Sequence, residues 1–221
     1  NELRLVWLAA GSLGYPFGPL IRLLILTGQR LREVAELPWA ELNLPERKWL
    51  LPANRTKNGV ATLVPLSDPA MSIVTDLPRI KSDAGKGKPL IAFTTTGDTP
   101  VSGFSKIKGR LDATMLEIAR KEARDAGADD DAVAALAIEH WQFHDLRRTL
   151  ASGCQRLGVK LEVSEAILNH VSGTKSGIAG VYHVYKYEDE KRSALDAWAR
   201  IVNNAVSSAD SDNVFRLSAV R

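Results

Sequence analysis

Apolar residues recur at helical spacing over residues 2–11, then crowd together in "GPLIRLLILTG" (18–28). The second run predicts a buried helix. Gly28 predicts its end, because glycine accepts the left-handed backbone that closes many helices. "LREVAEL" (31–37) sets Leu31, Val34 and Leu37 on one side of a short helix that stops at Pro38. The period then falls toward two. "KWLLP" and "ATLVPL" predict strands joined through "ANRTKNG". Asn58-Gly59 predicts a type I′ turn between them, since that turn needs two residues at positive φ. "PAMSIVTDL" (69–77) returns to helix, 81–89 is a loop, and "LIAF" (90–93) is a short strand.

A long helical pattern over 102–127 opens with a Ser cap. "ADDDAVAALAIEHWQ" follows no single period. Helices are expected near 145–157 and 162–169, with a Gly-rich loop, "SGTKSGIAG" (172–180), after them. Residues 188–204 form a further helix, with acids in the first turn and Leu195, Trp198 and Val202 at helical spacing. The fold class is mainly α with a small antiparallel β-sheet. Residues 1–202 form one domain, and 203–221 are a polar tail interrupted by "VFRLSAV".

Composition narrows the class. The 221 residues are 45% hydrophobic and 25% charged, as in globular proteins. No apolar run is long enough for a membrane helix, and the first residues do not predict a signal peptide. The single Cys154 cannot form an internal disulfide and fits a reducing, cytoplasmic setting. A net charge of +3 and a pI near 9.0 hint at a polyanionic partner. Positive charge gathers in 46–59 and 104–110, negative charge in 125–131 and 187–190. Each run also reads as a solvated face.

"FHDLRRTLASG" (143–153) puts His144 and Arg147 three positions apart at a helix start. Arg30 follows a helix end, with Glu33 placed to pair with it. It is either a structural ion pair or one of two guanidiniums that converge on a phosphate. Lys57, at the hairpin tip, either blunts a sheet edge or serves as a general acid. His140 and His144 have the spacing of a metal pair, but no HExxH and no third ligand accompany them, so no metal is expected. His170 marks the change from helix to loop, where it can act as a cap. Tyr182, Tyr185 and Tyr187 are packing aromatics or include a nucleophile. No GxSxG motif and no Walker loop is present.

The order "TGQRLREV", "RTKNG" with "VPLS", "HDLRRT", "LNHVSG" and then a tyrosine resembles the catalytic domain of the tyrosine recombinases. "LNHVSGTKSGIAGVYHVYKYEDEKRSALDAWA" is most similar to phage and genomic-island integrases. The resemblance runs from about residue 2 to about residue 200. It implies that Arg30, Lys57, His144, Arg147, His170 and Tyr182 are the catalytic set, with Tyr182 the nucleophile. Arg148 receives no role beyond a surface or backbone-phosphate contact.

The implied reaction cleaves and rejoins DNA through a 3′-phosphotyrosyl link, with no metal and no cofactor. The implied partners are double-stranded DNA attachment sites, a homotetramer on DNA (a monomer as an isolated domain), and DNA-bending accessory proteins. The family's N-terminal core-binding domain is expected to be missing from this chain, which would weaken DNA binding. Twelve positions separate Tyr182 from His170, a spacing longer than in many recombinases and similar to the integrase subgroup. Two other readings are a type IB topoisomerase-like enzyme and a non-catalytic DNA-binding module.

Overall fold

In a computed structural model, which describes residues 2–81, 89–170 and 187–207, the apolar run after residue 17 is the axis of the core. Leu20, Ile21, Leu23, Leu24, Ile25 and Leu26 are each at most 3% exposed. They lie on helix α2 (Phe17–Thr27), which packs against α1 (Glu2–Leu13), α3 (Leu31–Ala35), α4 (Asp68–Thr75), α7 (Phe143–Arg156) and α9 (Glu188–Ser207). A helix apolar all round needs neighbours all round. Each such side chain contributes about 1.5–3 kcal/mol on burial. Gly28 sits at φ 63° and closes α2, as its position in the sequence predicts.

Helix α9 crosses this core with Leu195, Trp198 and Val202 buried. The Trp198 indole N–H donates to the Ile25 carbonyl at 2.8 Å. Its ring lies against Gly153 of α7, where an added Cβ would come within 2.3 Å of Cζ3, so glycine permits the contact. The helix continues through Ser207, beyond the domain boundary read at 202. Near its start, Lys191 is 2% exposed, and its ammonium donates to the Leu63 carbonyl at 2.6 Å. Burial pushes this lysine down to about 8.

The strands β1 (Leu42–Asn43), β2 (Lys48–Leu51) and β3 (Thr62–Pro65) form an antiparallel sheet in sequence order, with Trp49 opposite Val64. Three expectations need correction. Asn58-Gly59 is not a two-residue type I′ turn: Gly59 alone of the pair has positive φ, and the connection fills 52–61. Asn58 instead accepts the Val60 N–H on its own side chain at 3.2 Å. "LIAF" forms no strand. It lies against Leu37–Trp39, but the Leu37 N–H donates back to Val34 at the end of α3 and a 3-10 turn begins at Trp39, leaving one bridge from Pro38 to Ile91. Helix α5 (Phe104–Asp125) begins after Gly103 at φ 83°, without a serine cap. The ambiguous stretch resolves into a short α6 (Asp130–Ala135) capped by Asp129, then irregular chain.

Candidate active site

Arg30 stands where α2 has ended and α3 begins. Its backbone N–H and its guanidinium Nη1 both donate to the Glu33 carboxylate, each at 2.9 Å. Glu33 is buried, and the Arg30 side chain is 22% exposed. One carboxylate therefore caps the helix and aims the arginine. The structural ion pair and an anion-holding role are compatible, because the other guanidinium donors of Arg30 have no partner among the described residues.

Helix α7 is set in a similar way. The Gln142 N–H donates to Asp145 at 2.8 Å, and Arg148 pairs with the other oxygen of the same carboxylate at 2.8 Å. Arg148 is thus a half-exposed ion pair on the helix surface. His144 is exposed at the first turn.

Arg147 departs from expectation. The sequence suggests an exposed guanidinium with no core to support, yet Arg147 is 3% exposed. It donates through Nη1 to the Gly28 carbonyl at 2.7 Å and through Nη2 to the Leu168 carbonyl. Helix α8 (Leu161–Ile167) and α2 end side by side, and helix ends leave carbonyls without partners and carry partial negative charge. Arg147 supplies the donors for both. Burial first, then the charge of Arg30, lowers it to about 10, so it remains a cation at neutral pH.

His170 follows the end of α8. Asn169 adopts φ 46°, and the His170 N–H donates back to the Glu165 carbonyl at 2.9 Å, a left-handed helix stop. The backbone of His170 therefore contributes to the cap, and its imidazole is exposed. Lys57 is exposed at the tip of the β2–β3 connection and makes no hydrogen bond or ion pair among the described residues. Its loop is nevertheless fastened. Arg55 donates to Glu41 at 2.6 Å and to the Glu33 carbonyl at 2.7 Å, and Asn58 bonds to Asn169.

Arg30, His144 and Arg147 line one cleft of about 290 Å³, together with Gln29, Gln142 and Phe143. His170 is within electrostatic reach of all three of those charged or titratable groups. Gln29 carries no signal in the sequence pattern. It is buried, and its amide donates to the Thr27 and Ile167 carbonyls at 2.9 Å, tying the same two helix ends as Arg147. The supporting roles of Asp145, Asn58 and Asn169 likewise escape the sequence pattern. Only the Q-x-x-D spacing before α7 hints at the first of them.

Tyr182 and Tyr185 lie outside the described residues. Tyr187 is described: it precedes α9 at φ 59° and packs on the core. His140 lies on irregular chain before α7, so its four-residue spacing to His144 does not place both on one helical face.

Two guanidiniums and two imidazoles with few compensating acids form a site for an anion with several oxygens. Both imidazoles sit below their ordinary value of 6.5. For His144 the causes are partial desolvation against the protein surface, then Arg147, Arg148 and Arg30, opposed by Asp145. For His170 they are partial desolvation, then Arg147, Arg30 and His144, opposed by Glu165. Both rings should therefore be neutral at pH 7. Between the folded and unfolded values the unfolded chain binds more protons. The stability these groups contribute is thus present above 6.5 and lost as pH falls through their folded values. NMR titration of the ring signals should place both midpoints below 6.5; a midpoint at or above 6.5 for either would contradict this arrangement.

No curated protein matches the chain. An integrase from mycobacterium phage Brujita has a similar structure, with a TM-score of 0.54 at 15% identity, covering 88% of this chain and 53% of the integrase. This chain thus spans about half the length of that protein, and at such identity the likeness is one of fold. The model of the phage integrase family matches residues 11–178. With the family match spanning most of the sequence and its fold shared with a solved integrase, the chain belongs to the phage integrase family of tyrosine recombinases.

Proposed function

We propose that the chain is the catalytic domain of a site-specific DNA recombinase that integrates or excises a phage or genomic island. The observation that carries this reading is the convergence of Arg30, His144 and Arg147 on one cleft, with His170 beside it. The anion is the scissile phosphate of a DNA attachment site.

The Tyr182 phenolic oxygen attacks phosphorus, and its proton passes to neutral His144. The bond from phosphorus to the 5′ oxygen breaks. Lys57 gives a proton to that leaving oxygen, which becomes a 5′-hydroxyl, and a 3′-phosphotyrosyl link remains. Arg30, Arg147 and His170 hold the nonbridging oxygens. Each donor that strengthens in the transition state is worth about 3–4 kcal/mol. The link conserves the energy of the phosphodiester, so a 5′-hydroxyl from another strand reverses the step and joins the new partner. Exchange of both strands proceeds in a tetramer on DNA, assisted by DNA-bending proteins; the proposed docking of the tail 203–221 on its own or a neighbouring protomer falls mostly on residues outside those described.

The test is incubation of the chain with a nicked duplex carrying the attachment sequence from DNA flanking the gene. Cleavage next to the nick releases a short fragment and strands the covalent adduct, which runs as a shifted band in a denaturing gel. Absence of an adduct would overturn the proposal. Relaxation of supercoiled plasmid lacking an attachment site would instead mark a topoisomerase.

A further inference from the structure

We infer that Asn58 and Asn169 form a positioning clamp that couples the Lys57 loop to the His170 corner, and so sets the general acid of the proposed reaction. The inference rests on the recombinase reading and adds two residues to it. The Asn58 amide donates to the Asn169 carbonyl at 2.7 Å. The Asn169 amide donates in return to Asn58 Oδ1 at 3.3 Å and to the Val60 carbonyl at 2.8 Å. Asn58 Oδ1 also accepts the Val60 N–H at 3.2 Å. The last bond shapes the Lys57 loop, and the other three join it to a segment far away in sequence.

The placement of the pair gives it consequence. Asn58 is the neighbour of Lys57, and Asn169 is the neighbour of His170. Lys57 has no bond of its own among the described residues, so the loop must hold it. The arginine contacts at Arg55 fix the near side of the loop against α3. Asn58 fixes the far side against the end of α8. Asn169 is 7% exposed and sits at φ 46°, a backbone glycine adopts more readily. A bare helix stop would be served by glycine. An amide there, directed at the opposite loop, points to a use beyond ending the helix.

A lysine that protonates a leaving oxygen must be held within a fraction of an ångström, and a misplacement of about 1 Å costs on the order of 100-fold in rate. Loss of the clamp should therefore act on the protonation step in particular. That step can be isolated. In a duplex whose leaving 5′ oxygen is replaced by sulfur, the leaving thiolate needs no proton, so the lysine becomes dispensable.

The experiment compares the full chain with Asn58→Ala, Asn169→Gly, the double variant and Lys57→Ala on ordinary and 5′-bridging thio nicked duplexes. Asn169→Gly keeps the backbone conformation and removes only the amide. The two single variants should slow adduct formation on the ordinary duplex on the order of 10- to 100-fold and be restored to near wild-type rates on the thio duplex. Lys57→Ala should show the same pattern more strongly. The double variant should be slower than either single one on the ordinary duplex, because Asn58→Ala leaves the Asn169 amide on the Val60 carbonyl and Asn169→Gly leaves the Asn58 amide on the carbonyl of residue 169. Equal slowing on both duplexes by a folded variant would assign the pair a merely structural role and overturn the inference, as would unchanged rates on the ordinary duplex. A variant that fails to fold slows both duplexes alike, and its thermal melt identifies it; the comparison then rests on Asn169→Gly. A wild-type chain that forms no adduct on either duplex removes the recombinase reading and this inference together.

Discussion

Tyr182→Phe is expected to abolish the covalent protein–DNA adduct while leaving DNA binding within about twofold, since a hydroxyl outside the phosphate-holding set adds little to ground-state affinity. Three tyrosines compete for the role in "VYHVYKY". Tyr187 is the weakest candidate: its backbone starts α9, its carbonyl accepts the Lys191 N–H at 2.8 Å, and its ring packs on the core. An attacking tyrosine must reach the cleft, and leaving that seat would disturb the helix start. The acids Glu188, Asp189 and Glu190 follow at once and would repel a phosphate. Tyr185 is three residues beyond Tyr182, and only Tyr182 stands where the resemblance to integrases puts the nucleophile. Trapping the adduct on the nicked duplex and mapping the modified peptide decides among them. Phosphate on Tyr185 or Tyr187, or an adduct that persists in Tyr182→Phe, would show that another tyrosine attacks.

Arg147→Ala is expected to reduce cleavage by two to three decades and also to destabilise the fold. The catalytic loss follows from removal of a transition-state donor, about 3–4 kcal/mol. The structural loss follows from the two carbonyls that the guanidinium serves. Without it, Gly28 and Leu168 oxygens are left in a buried site, at about 1–3 kcal/mol for each acceptor that finds no substitute. Arg147→Lys separates the two effects. An ammonium retains the charge but cannot bridge both helix ends with a planar fork, so stability should recover in part and cleavage should not. Urea unfolding and adduct formation measured on the same samples test this. Near-normal cleavage by Arg147→Ala would defeat the phosphate clamp, and an unchanged unfolding midpoint would defeat the bridge.

Much of the fold was legible in the sequence because local signals agreed with the tertiary outcome. The unbroken apolar run of α2, the stop at Gly28, the pattern of Leu195, Trp198 and Val202, and the change of period at "KWLL" each reflect burial on one face or on all faces. Where the local signals misled, the decisive partner was remote. Asn58-Gly59 has the composition of a tight turn, but the side chain of Asn58 bonds across to Asn169. "LIAF" has strand composition, but its neighbour is only the short link between α3 and the 3-10 turn at Trp39–Glu41.

The candidate site divides in the same way. The sequence by itself determined which side chains to consider, because the order of an arginine after a helix stop, a hairpin lysine and a His-x-x-Arg pair carries the resemblance to the tyrosine recombinases. Only the tertiary structure decided how they are held. Glu33 aims Arg30 from within one helix turn, which spacing could suggest. Arg147 is buried between two helix ends, and Gln29 and Asn169 tie elements more than a hundred residues apart. No local pattern encodes those contacts, since unpaired helix-end carbonyls acquire partners only when packing brings the ends together.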